Sequence, residues 1–91
     1  MRETADIVAL KALAWLVGND ELLPVFLGAT GASEADLRAR ADDPDFLAAV
    51  LDFLLMDDAW VRAFCEAERL PGEAVMQARA AFPGGADPHW T

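Results

Sequence analysis

The chain has 91 residues, with 16 acidic and 7 basic side chains and a formal net charge of −9. That is the length of one domain, and its acidity repels phosphate backbones rather than attracting them. Hydrophobic residues make up 55% of it, which excludes a largely disordered chain and suffices for one modest core.

Tyrosine is absent, Ile7 is the single isoleucine, and alanine and leucine dominate. Good helix formers in such excess over β-branched residues predict an all-α domain. Thr4 to Val17 reads as a first helix, with Gly18 at its end. Leu10, Leu13, Leu16 and Val17 mark one apolar face of it. Val8, Ala12 and Trp15 mark a second, beside Lys11. A helix with two apolar faces is packed between neighbours, or it holds one face out for a partner. The Trp15 face, with Val8, is the candidate partner surface.

Asn19 or Asp20 caps a short second helix ending near Leu27, with Pro24 confined to its first turn. Gly28 and Gly31 punctuate its end. Ser33 caps a third short helix, and Asp36 completes a capping box. Leu37 is its large apolar residue, and Arg38 and Arg40 are its exposed cations.

The most apolar stretch follows, at about 44–56. Asp43 is placed to cap it, Pro44 suits the first helical position, and Asp45 complements the positive end of the helix dipole. Phe46, Leu47, Val50, Leu51, Phe53 and Leu54 fall within an arc of roughly 160°. Asp45 and Asp52 share the opposite side with Ala48, Ala49 and Met56. This stretch is the expected buried centre of the fold. It is too short to span a membrane, which takes about 20 apolar residues.

Asp57 and Asp58 mark a new start or a bend. Trp60, Val61, Phe64 and Ala67 form the apolar face of a fifth helix, with Arg62 and Glu66 spaced as an i,i+4 pair. Leu70, Pro71 and Gly72 break the chain. Glu73 to Phe82 forms a last helix through Val75, Ala78 and Phe82, and Pro83-Gly84-Gly85 stops it. The expectation is a compact bundle of five or six helices over residues 1–85 with an irregular tail at 86–91. The tail carries His89 and Trp90, which join Trp15 and Val8 as candidate partner-binding residues. A weak two-fold internal repeat also shows: Trp15 to Asp20 parallels Phe53 to Asp58, and Phe26 parallels Phe64. Each half would be one long helix followed by two shorter ones.

No catalytic signature stands out. Cys65 is the single cysteine, which excludes an internal disulfide and a cysteine-rich zinc site. Ser33 is the single serine and fits a cap; His89 is the single histidine and sits in the tail. The carboxylate clusters at Asp42-Asp43-Asp45 and Asp57-Asp58 fall at helix starts, which accounts for them. No calcium-loop pattern and no phosphate-cradling glycine loop occurs. No catalytic residue, cofactor or metal is assigned.

The segments at about 21–28 and 33–41, with Gly31 between, look like the turn of a DNA-binding helix-turn-helix. Glu34 and Asp36 would then occupy the start of the recognition helix, where base contacts are made. The acidic start of the chain, Glu3 and Asp6 after Arg2, does not read as a signal peptide, so a cytoplasmic setting is expected.

Ala-Leu-Ala-Trp-Leu at 12–16, Thr-Gly at 30–31, Asp-Pro-Asp-Phe-Leu at 43–47, Leu-Asp-Phe-Leu at 51–54 and Pro-Gly-Gly at 83–85 form a set. As a set they resemble a family of short alphaproteobacterial proteins known as a domain of unknown function. The resemblance implies a compact helical fold in a bacterial cytoplasm and transfers no functional residue. The expected function is a non-catalytic protein–protein interaction module, binding a protein partner or itself, with no nucleic acid and no membrane. The alternatives are a DNA-associated helix-turn-helix regulator and an enzyme of unrecognised type.

Overall fold

The structure, a computed structural model, describes residues 2–82, with side chains from Thr4 onward. Six helices account for the regular structure among the described residues: α1 (Arg2–Val17), α2 (Leu22–Thr30), α3 (Glu34–Ala39), α4 (Pro44–Leu55), α5 (Asp58–Glu68) and α6 (Ala74–Ala80). The fold is an all-α bundle. Its centre is a mutual packing of α1, α4 and α6, with α5 against all three and α2 laid on α1.

The helix boundaries follow local chemistry. Asn19 Oδ1 accepts from the backbone N–H groups of Glu21 and Leu22, so α2 is entered through a capped turn and Pro24 stays in its first turn. Here α2 runs on to Thr30, past the expected end at Leu27. Gly28 is helical, and Gly31 makes the stop in the left-handed region at φ 76°. Ser33 and Asp36 form the expected capping box on α3. Asp43 caps α4 through the N–H of Asp45, with Pro44 in the first turn. Asp57, not Asp58, caps α5. Arg62 reaches back to Asp58 at 2.8 Å rather than forward to Glu66. An acid N-terminal to a base is the better order for an i,i+4 pair, and Asp58–Arg62 has it while Arg62–Glu66 is reversed. The last helix is shorter than the expected 73–82, although Val75, Ala78 and Phe82 are all buried.

Burial makes α4 the centre of the fold. Phe46, Leu47, Val50, Leu51, Phe53 and Leu54 are all buried. Ala48 is buried too, against the expectation that it would share the wet side, because α4 is packed against α1, α5 and α6 together. Phe26 of α2 meets Phe53 and Phe46 edge-on at 5.3 and 6.0 Å, and Phe53 stacks on Trp60 at 4.7 Å. Phe53 thus joins both α2 and α5 to α4. Ala67, expected on the apolar face of α5, is exposed.

The two halves repeat in helix order but not in packing. Both begin with their longest helix, yet α6 is wedged between α1 and α4 while α3 makes no comparable contact with either. The position on α1 that a symmetric α3 would fill is left open.

Candidate functional site

At about 100° per residue, α1 carries apolar side chains around most of its circumference, and the structure divides them. Ala5, Val8, Ala9, Ala12, Leu13 and Leu16 are buried. Ile7, Leu10 and Val17 are 50%, 45% and 46% exposed, and Ala14 lies between them in the open. The boundary therefore falls between Leu13 or Leu16 and Leu10 or Val17, residues expected to share one face.

This removes Val8 from the candidate partner surface. Val8 is buried, at the edge of a narrow cleft of about 270 Å³ between the start of α1 and α6. It has no surface to offer. Trp15 is half-buried and meets Phe64 of α5 edge-on at 5.9 Å. Lys11, beside them, pairs with Glu68 at 3.7 Å. The Trp15 side of α1 is thus only partly covered, by α5, while the stripe of Ile7, Leu10, Ala14 and Val17 is open. His89 and Trp90 lie outside the described residues.

The open side forms one wall of a furrow. Leu13, Ala14, Val17, Leu23 and Leu37 line a groove of about 580 Å³ between α1, α2 and α3, with Glu34 at its edge. Leu10 and Arg38 line it as well, and both continue into a second recess of about 440 Å³ bounded by Ala39, Asp42, Pro44 and Leu47. The furrow exists because α3 is short and stands away from α1. Leu37 alone of the α3 side chains is buried. Periodicity revealed that α1 is apolar all round, but which side a neighbour covers depends on where α6 and α3 dock. That information is absent from the helix itself.

The polar groups around the furrow are unequal in sign. Glu34 and Asp42 are exposed at its edges, and Asp20 and Glu21 are exposed in a shallow recess that shares Ala14 with it. Arg38 is the guanidinium within it. Arg40 is engaged elsewhere. Its Nε and Nη2 donate to Asp43 Oδ2 at 3.2 and 3.0 Å, and it lies 5.0 Å over the Phe46 ring. The Arg40 hydrogen bonds, with the Asp45 N–H, hold the Asp43 carboxyl below the usual aspartate range.

Cys65 is inside the core, and burial pushes its thiol up, with the Glu73 carboxylate adding to the effect. Among the described residues, no group of three or more His, Cys, Asp or Glu side chains is placed to share a metal ion. Every buried side chain there is apolar, and no buried side-chain nitrogen or oxygen lacks a partner. No single described helix is long and apolar enough to cross a membrane; α1 and α2 together reach that length and composition but are bent by 113°.

No curated protein and no solved structure matches the chain. The model of the family described as "Protein of unknown function (DUF3572)" matches residues 2–85, nearly the whole chain, and the protein belongs to that family.

Proposed function

We propose that this protein is a non-catalytic interaction module of a bacterial cytoplasm, and that it docks a protein segment in the furrow between α1 and α3. The observation that carries this reading is the exposure of Leu10 and Val17 beside a groove already walled by Leu13, Leu23 and Leu37. Leaving a leucine and a valine half in water forgoes about 1 kcal/mol each. A contiguous apolar furrow with a charged edge is the form that protein-docking surfaces take.

The reading assigns no nucleic acid. On the α2–α3 hairpin, Asp36 is committed to the Ser33 cap and Arg40 to Asp43. Arg38 is then the cation left for a phosphate, beside Glu34 and on a chain of net charge −9. It assigns no chemistry to Cys65, which sits in the core.

The test is affinity capture from the native cytoplasm with three baits: the wild type, a Leu10→Asp/Val17→Asp double variant and Met76→Asp. Met76 is 65% exposed on α6, away from the furrow. A protein retained by the wild type and Met76→Asp but lost by the double variant supports the reading. Retention by all three places the interaction elsewhere and defeats it.

A further inference from the structure

We infer that the occupant of the furrow is a basic amphipathic α-helix, laid along α1. This rests on the docking function proposed above and names its partner. Two observations carry it.

The first is spacing. Ile7, Leu10, Ala14 and Val17 follow one another at intervals of three, four and three residues, and all four are exposed. That alternation is the seam of a helix packed lengthwise on another helix. An extended segment would instead read positions at a period of two and would need unpaired strand edges, and the described residues contain no strand. The small Ala14 in the middle lets a second backbone approach closely, with Leu10 and Val17 as holes and knobs on either side. From Ile7 to Val17 the stripe is about 15 Å long at the helical rise, so it matches about three turns of a partner. Leu23 and Leu37 close the far wall, so the partner's apolar face meets apolar atoms on both flanks.

The second is charge. Glu34 and Asp42 are exposed at the furrow's edges, and Asp20 and Glu21 are exposed in the recess that meets it at Ala14, against Arg38 within the furrow. The flanks of a docked helix come to lie over these carboxylates, where Lys and Arg are favoured and Glu and Asp repelled. The same field opposes a second copy of this chain, because each copy brings a net charge of −9.

The test is a selection. A displayed library of peptides about four turns long fixes leucines in a three–four–three register and leaves the other positions free. It is panned on the full chain, and the winners are then measured on the Leu10→Asp/Val17→Asp variant, whose fold is checked by circular dichroism. The expected winners are rich in Lys and Arg and free of proline. A representative winner binds the wild type at least an order of magnitude more tightly than its Lys/Arg→Glu counterpart does. Its affinity falls with added salt, and it does not bind the double variant. Winners that are neutral or acidic, or that tolerate proline, overturn the basic helix while leaving the furrow as a docking site. So does a dimer of the chain in sedimentation equilibrium that the double variant separates. Recruitment of the chain to lipid vesicles through Leu10 and Val17 likewise replaces the helix with a membrane surface. Winners that bind the double variant as well as the wild type overturn both the inference and the docking function.

Discussion

Asp52 of α4 and Arg79 of α6 are joined at 2.7 Å, Oδ1 to Nε, across 27 residues of sequence. The Arg79 side chain is 15% exposed and that of Asp52 57%. Asp52 lies on the predicted wet side of the central helix, and it is wet. It also ties the last helix to the central one by a polar contact, beside the apolar packing of Val75 and Ala78. Breaking a pair with one partly buried member costs more than the usual exposed ion pair, about 1–2 kcal/mol. A double-mutant cycle of Asp52→Ala and Arg79→Ala in urea should give a coupling of that order. Strict additivity would show that the contact does not fasten α6.

Leu51 and Phe53 are buried in α4, and Phe53 also touches the rings of Phe26 and Trp60. Leu51→Ala or Phe53→Ala should each cost about 2–5 kcal/mol through lost burial and a residual cavity. Met56→Ala, at the exposed end of the same helix, should stay within about 0.5 kcal/mol. Equal losses at all three in urea melts would contradict the placement of α4 at the centre.

Arg69 ends α5 in the left-handed region at φ 57°, and its N–H donates to Cys65 O and Glu66 O. A side chain with a Cβ is strained there, and glycine is not. Arg69→Gly should therefore raise stability by about 0.5–1 kcal/mol, reversing the usual sign of a glycine substitution. A loss of stability in thermal melts would mean that the Arg69 side chain contributes more than its backbone costs.

The Asp43 carboxyl caps α4 and accepts from Arg40, and its pKa is lowered by these bonds. A lowered folded-state value stabilises the fold fully above the unfolded-state value, at about pH 4, and the gain disappears as pH falls through the lower folded-state value. Asn also caps helices, so Asp43→Asn isolates the charge. The stability gap between wild type and Asp43→Asn should be present at neutral pH and close as the solution is acidified below about pH 4. A gap that persists unchanged into strong acid would assign it to packing.

The parts of this fold that are local were legible in the sequence. Ser33, Asp43 and Gly31 do what their types and positions imply, because a cap or a left-handed stop needs only neighbours within a few residues. The buried face of α4 was legible for the same reason. Its apolar arc is wide enough to name the core without knowing the partners. What was hidden is tertiary. Nothing near Asp52 announces Arg79. The division of α1 was hidden most completely. Large or paired apolar residues such as Trp15 and Val8 suggest a docking face, but Val8 is buried and Trp15 is half-buried against Phe64. The open surface at Leu10, Ala14 and Val17 owes its exposure to a short α3 that stands away from α1.

The central claim is that this outer stripe of α1 is free surface while the face carrying Val8, Ala12 and Leu16 is core. Methyl NMR of the full chain with a soluble paramagnetic relaxation agent measures it directly. The account predicts strong relaxation enhancement at the methyls of Ile7, Leu10 and Val17, and weak enhancement at Val8, Leu16 and Val50. Protection of Leu10 and Val17 to the level of Val8 would contradict it, because the furrow would then already be covered and have no partner to receive.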